Sequence, residues 1–501
     1  MLQYTIPINK LEASVSIPEF LGFKKHFNLR SPLTFTINES SKNFSFTSLE
    51  SVVGRGGSIK SSTGTSQVQY NQHIYSIEKE NIPALKREAF VDYVWNYAAV
   101  LKWELQFTKF PNSLVENYTE TWENVSKSIY VDSYGKELGR TGYFDKDLDQ
   151  ILSGVTDHGK KASLIYNFVK TKIKWNGYAG FIAENGGAKA YKEGEGNVAD
   201  INLALASMLK YAGLKSYPVL LSTKDNGIPL FPTRKGFNYI VTAVEVGENV
   251  FLLDATDENN AFGDLPERAR NWHGRILIDK EASDWISLMP AQQSKNRLQI
   301  SYQFDESLKI QGKTINVING YYAKTFRDNY KNVNKDSYLE TLEKGKGNIV
   351  ISELEMENEI EVGTDIKQTY TFELENGMER INDKIYLTPL LFLAEKENPF
   401  KAEKREYPIF FYFPSLENKT VNILLPEGYE VEFLPESAII DLNNGAGTFK
   451  FITLQNGNYL RIESEYNMKN TVYPPADYKS LKDFFAEVVN KHSEAIVLKR
   501  I

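Results

Sequence analysis

Short runs in which apolar and polar residues alternate fill residues 1 to about 112, as in Ala13-Ser14-Val15-Ser16-Ile17 and from Tyr97 to Phe107, and Gly, Ser and Pro clusters break them. A period of two predicts a β-rich domain. From about 113 the period becomes helical, first at Tyr118, Trp122, Val125 and Ile129, then at Ala162, Ile165, Tyr166, Val169 and Ile173. A third helix is predicted over about 199–212, with Ile201, Leu205, Met208 and Ala212 on one face and Gly213 just past its end. Strands follow at Tyr217–Ser222, Phe237–Val246 and Val250–Asp254, the last two joined by a tight turn at Gly247–Asn249. From about 297 strands recur, at Gly347–Ser352, Ile366–Phe372, Tyr407–Phe413 and Val421–Leu425. After Pro475 a closing helix presents Tyr478, Leu481, Phe484, Phe485 and Val488 on one broad face.

The elements group into three expected domains: 1–112, 113–295 and 296–501. Length agrees, since single hydrophobic cores stop growing near ~250 residues. An aromatic content of 13%, with 29 Tyr and 29 Phe, raises the expectation of β structure in the outer two.

Charge and composition then remove function classes. With 58 Lys and Arg against 65 Asp and Glu, net −7, no broad basic surface is available for nucleic acid. The chain has no cysteine, which removes disulfides, thiolate metal sites and thiol nucleophiles. His26, His73, His158, His273 and His492 form no pair at metal-binding spacing, so neither a metal nor another cofactor is expected. The Gly-rich stretch Gly54–Gly57 lacks the Lys-Ser/Thr helix start of a phosphate loop and reads as a turn. No stretch approaches the ~18 apolar residues of a membrane helix. The opening MLQYTIPINKLEASVSIPEF has no basic and apolar leader pattern, and it starts on strand-like alternation, so upstream residues are expected to be missing.

The most informative residues are EGNVADINLALASMLKYAGLKSYPVLLST (195–223), GFNYIVTAVEV (236–246) and VFLLDAT (250–256). In order and spacing they resemble the transglutaminase-like branch of the papain-fold superfamily, over about 160–280. That family's pattern is Gly-x-Cys-x-Asp at a helix start, a leucine-rich helix, a Tyr-Pro-Val strand, a strand His and a strand Asp in a Leu-Asp-Ala-Thr setting. The helix dipole acidifies the thiol, the imidazole moves its proton, and the carboxylate holds the imidazole tautomer. The resemblance puts the nucleophile at Val198, the base at Tyr239 and the orienting acid at Asp254. Val offers no attacking atom and a phenol is a poor base at neutral pH, so a catalytically dead site is expected.

The resemblance extends outward. SIPEFLGFKK, IPALKREAF, LQFTKFP and TWENV look like a β-rich domain of unknown function that precedes such cores in exported proteins of Gram-negative bacteria. GYYAKTFRD, IYLTPLLF, NPFKAEKREYPIFF and YPPADYKSLKDFFAEVVNKHSEAIVLKR look like its β-rich companion on the far side. The implied fold class is α+β, a papain-like transglutaminase core between antiparallel β-sandwich-like domains. The implied function is a non-catalytic binding or scaffold module of the bacterial cell envelope or periplasm, with a protein, peptide or glycan ligand.

Two alternatives stay open. One is a hydrolase or amide-processing enzyme that pairs Asp200 with Asp254, although an acid in the first turn of a helix serves the dipole more simply. The other is a carbohydrate- or peptide-binding protein that uses the aromatic residues of the β domains. Around the lost positions, Trp175, Asn197, Asp200 and Asn238 are the candidates for a remnant cleft, with core packing as the plainer role of Trp175, and Asn202 lies nearby in sequence but its amide is no nucleophile. The acidic stretch from Asp254 to Asp264 does not follow calcium-loop spacing and is expected to be a solvated turn.

Overall fold

A computed structural model describes residues 1–52, 62–111, 113–375 and 377–501; Gly54–Gly57 lie outside them. The chain divides into two compact units. One takes in residues 1–87, 93–125 and 227–236, and the other takes in 88–92, 126–226 and 237–501.

In the first unit, strands Ile8–Pro18 and Asn38–Val52 flank Ser62–Ile82, antiparallel on both sides, with Ile8 opposite Ile82 and Asn38 opposite Ser76. A second sheet pairs Leu21–Phe27 with Leu101–Thr108. The core here is small. It centres on Leu2, Ile77 and Ala99, with Leu11, Phe27 and Leu101 packed against them.

The second unit holds a five-stranded antiparallel sheet, ordered Asn249–Leu253, Tyr239–Val246, Ser216–Leu221, His273–Leu277 and Ser283–Ser287. The helix Val198–Tyr211 packs on it. Every residue of that helix from Val198 to Leu209 is buried, as an all-round apolar sequence demands. Strand hydroxyls anchor its backbone: Thr242 donates to the Asn202 carbonyl at 2.6 Å, and Ser216 donates to the Ala206 carbonyl at 2.7 Å. The helix ends where expected, at Gly213, whose φ of 81° lets Leu214 N–H reach back to the Leu209 carbonyl at 3.1 Å. The helix His158–Lys172 covers its flank, with Ala162, Ile165, Tyr166 and Val169 buried.

In chain order the first strand of an eight-stranded sheet is Ser294–Phe304. That strand runs parallel to Ser415–Leu424, while the other neighbours in the sheet pair antiparallel. Strict alternation along Ile366–Glu375 buries every second side chain from Ile366 to Leu374 against one large core. The closing helix, Tyr478–Ser493, inserts Tyr478, Leu481, Phe484 and Val488 there. Leu481 is fully buried, and its truncation to Ala would cost ~2–5 kcal/mol.

Several expected elements differ. The first helix starts at Trp122, after Thr121 accepts the Asn124 N–H at 3.1 Å, so Tyr118 lies outside it. Two helices, Gly320–Tyr330 and Lys335–Glu343, lie in the region expected to be β-rich, on a stretch for which no helix was expected. Their Tyr and Phe residues suggested strand, but burial of Tyr321, Ala323, Phe326 and Tyr338 decides for helix, because β propensity is mostly a packing preference. The strand expected over Tyr407–Phe413 shrinks to Ile409–Phe410, since Pro408 and Pro414 supply no N–H to a ladder. Among the described residues no helix is long and apolar enough to cross a membrane.

Candidate functional site

The start of the Val198–Tyr211 helix is built by small residues and a reciprocal cap. Asn197 Oδ1 accepts Asp200 N–H at 2.8 Å, and Asp200 Oδ2 accepts Asn197 N–H at 3.0 Å. Asp200 also accepts the N–H groups of Asn185 at 3.1 Å and Gly186 at 2.7 Å. Gly196 makes the approach possible, because a Cβ there would sit 2.8 Å from that of Asp200 and 2.9 Å from that of Ala190. The Val198 N–H meets the Tyr178 carbonyl at 3.3 Å, which also receives the Trp175 indole N–H at 3.0 Å. One donor of the helix's positive end is thus already occupied.

Val198, Tyr239 and Asp254 all have no solvent exposure. Tyr239 opens its strand and Asp254 immediately follows the neighbouring one, so antiparallel pairing brings the two side chains together. The Tyr239 hydroxyl donates to Asp254 Oδ2 at 2.8 Å and lies 3.0 Å from Thr256 Oγ1. Asp254 Oδ1 accepts three more bonds, from Asn202 Nδ2 at 3.1 Å, Thr256 N–H at 3.0 Å and Thr256 Oγ1 at 2.7 Å. Asn202 also ties its amide to the Ile240 carbonyl and the Ala255 N–H, locking helix to sheet. From the other side the Tyr166 hydroxyl donates to the Asp254 carbonyl at 3.1 Å.

Arg268 closes the group. Its Nε donates to the Tyr239 hydroxyl at 3.0 Å and its Nη2 to Thr256 Oγ1 at 2.7 Å, while Nη2 stands 4.0 Å from Asp254 Oδ2. The guanidinium lies 4.4 Å from the centre of the Trp175 ring, a cation–π contact. Burial, reinforced by the Asp254 charge, pushes the Tyr239 hydroxyl well above the usual phenol range. It therefore stays protonated and acts as a donor.

The remnant candidates separate into distinct roles. Trp175 stands beside the network through Arg268. Asn197 and Asp200 belong to the helix cap, and among the described residues Asp200 shares no hydrogen-bonding partner with Asp254. Asn238 is committed to Thr223, accepting its N–H at 2.8 Å and donating to its hydroxyl at 2.7 Å. Asp257 and Glu258 are held by lysines of the Gly320–Tyr330 helix and of the residue just after it, Lys324 at 2.9 Å and Lys331 at 2.6 Å, in place of the solvated turn expected. Asp264 is pushed up to about 6 by burial. Among the described residues no group of His, Asp and Glu could hold a metal ion.

Thr256 and Arg268 were not singled out by the sequence. Thr256 carries a usable signal, two residues after an Asp, where Asx-type turns place a donor. Arg268 carries none, since it reaches the site from a short 3₁₀ turn, Glu267–Ala269, fourteen residues beyond Asp254.

A family described as "Domain of Unknown Function with solved-structure structure (DUF3858)" matches residues 383–498. That stretch includes the IYLTPLLF and NPFKAEKREYPIFF segments. The chain is similar over 99% of its length to 74% of a "putative protease" from Parabacteroides distasonis ATCC 8503, at 12% identity and a TM-score of 0.49. Over 49% of its length it is similar to 75% of a "putative cysteine protease" from Cytophaga hutchinsonii, at 10% identity and a TM-score of 0.18. No curated protein matches the chain. Both structural likenesses are weak, and nothing about the chemistry of this site follows from them.

Proposed function

We propose that this chain is a non-catalytic protein of the transglutaminase-like, papain-fold kind, serving as a binding or scaffold module in the bacterial cell envelope. The observation that supports this reading is the closed Tyr239–Asp254–Thr256–Arg268 network at the positions where the resemblance puts a base and its orienting acid. A phenol held protonated accepts no proton near neutral pH, and Val198 brings a buried isopropyl group where an attacking atom would stand. The carboxylate of Asp254 is spent on Tyr239, Asn202 and Thr256. Carboxylate-pair hydrolysis gains nothing from the geometry, because Asp200 is engaged in its own cap. The envelope location rests on the resemblance of the flanking segments.

The test is direct. The full chain, incubated with a fluorogenic peptide amide and separately with casein and a fluorescent primary amine, is expected to give no turnover above a heat-inactivated control. Turnover that disappears in Asp254→Asn would overturn the reading. The lineage is tested by Val198→Cys with Tyr239→His, in which alkylation rate against pH should report a thiol well below the ordinary ~8.5. An ordinary thiol in a folded double variant counts against the mapping.

A further inference from the structure

A cavity of about 390 Å³ lies between the start of the Gly320–Tyr330 helix, the 411–417 segment and the closing helix. Among the described residues seven aromatic side chains line it, Tyr412 and the six rings of Phe90, Tyr322, Phe411, Phe413, Tyr466 and Phe485. Four of them form a chain of ring contacts, with centres 5.4 Å apart for Phe90 and Phe411, 6.4 Å for Phe411 and Phe485 and 6.4 Å for Tyr466 and Phe485, and Tyr322 and Phe413 form a separate pair at 5.1 Å.

Charge in this cavity is one-sided. Glu395, Glu397 and Glu417 line it, and among the described residues no lysine or arginine does. The first two are neutralised from outside the lining, Glu395 by Lys419 at 2.7 Å and Glu397 by Lys401. Among the described residues Glu417 makes no ion pair. It is held instead by two phenols, with Tyr322 donating at 2.7 Å and Tyr466 also bonding it. Hydroxyl donors fix a carboxylate in place and leave its net charge uncompensated. A partly buried anion inside an aromatic cage favours a cation that can shed its water and lie against ring faces.

We propose that this cavity binds an alkylammonium group, of a free organic amine or of a lysine side chain, with Glu417 as counter-ion and the rings as its cage. It shares no residue with the Tyr239–Asp254 network, so it stands or falls separately from the function proposed above.

Isothermal titration of the full chain with choline and with its neutral isostere 3,3-dimethyl-1-butanol tests this. Choline is expected to bind ~10-fold more tightly, the size of a desolvated cation–π and charge contact. In Glu417→Gln, whose amide oxygen still accepts from Tyr322 and Tyr466, that preference should vanish while the alcohol binds as before. Should that variant lose its fold by circular dichroism, Phe485→Leu gives the same reading, since it keeps apolar volume but removes a ring face and should weaken choline alone. Equal affinity for the two probes, no saturable choline binding, or a preference that survives loss of the Glu417 charge overturns the proposal. Nα-acetyl-lysinamide as a third titrant identifies the source: tighter binding than choline marks a peptide side chain, weaker binding a free quaternary amine.

Discussion

Tyr239 and Asp254 are joined by a 2.8 Å hydrogen bond between two side chains with no solvent exposure. The carboxylate brings the charge and the phenol brings the proton, so the pair holds one negative charge that Arg268 faces at 4.0 Å. Such a group is costly to leave half-made. Through it the start of one strand is tied to the end of its neighbour.

Removing the phenol oxygen exposes that cost. Tyr239→Phe leaves Asp254 Oδ2 without its donor and Arg268 Nε without its acceptor, while the ring and its packing stay. The variant should lose ~1–3 kcal/mol of stability by urea unfolding, the desolvation penalty of unpaired buried groups. A loss within error of zero would mean the bond contributes nothing.

Arg268 and Tyr239 should be energetically coupled. Arg268→Ala removes two charge-assisted bonds and the contact over Trp175. In a double-mutant cycle with Tyr239→Phe, the combined loss should fall short of the sum of the single losses by ~0.5–3 kcal/mol, as for residues in one network. Additive losses would show that the bond from Arg268 Nε to the Tyr239 hydroxyl contributes nothing, leaving Thr256 and Trp175 as the groups through which the guanidinium acts. Acrylamide quenching of tryptophan emission should rise in Arg268→Ala, because the Trp175 ring loses its cover.

Much of this was legible in the sequence, and the limits have physical causes. The buried helix, its Gly213 stop and the hairpin around Gly247 follow from local periodicity and turn chemistry, and the structure places them within two residues. Asp254 and Tyr239 were singled out by the resemblance of their segments to the transglutaminase-like pattern, not by periodicity. Arg268 could not be placed, since its arrival depends on how residues 257–267 fold back, which no local pattern encodes. The two helices at Gly320–Tyr330 and Lys335–Glu343 were hidden for a different reason: their aromatic residues suit either element until a partner surface is known.

Asp200 is expected to behave as a cap and not as a base. Asp200→Ala orphans the N–H groups of Asn185, Gly186 and Asn197 together, so its cost should exceed the ~1 kcal/mol typical of losing a single helix cap. Gly196→Ala should destabilise by ~1–3 kcal/mol by a different route, overpacking against Asp200 and Ala190. Urea unfolding measures both, and an Asp200→Ala chain as stable as the wild type would remove the capping role.

His492 should make the protein acid-sensitive. It is 1% exposed, and its Nδ1 accepts the Glu395 N–H at 2.9 Å while Nε2 faces the Ser464 hydroxyl at 2.7 Å. Accepting at Nδ1 requires the neutral ring. Burial, with the nearby Lys419 charge, pushes its pKa down to about 3 from the ordinary 6.5. The unfolded chain takes up a proton near 6.5 that the folded chain refuses until about 3. Stability from this residue is therefore complete above 6.5 and lost as pH falls through that window, at up to ~1.4 kcal/mol per pH unit. His492→Gln keeps an acceptor for Glu395 and does not titrate. Urea unfolding at pH 7, 6, 5 and 4 should show the variant losing less stability on acidification than the wild type, and parallel curves would show that His492 takes its proton without cost in the fold.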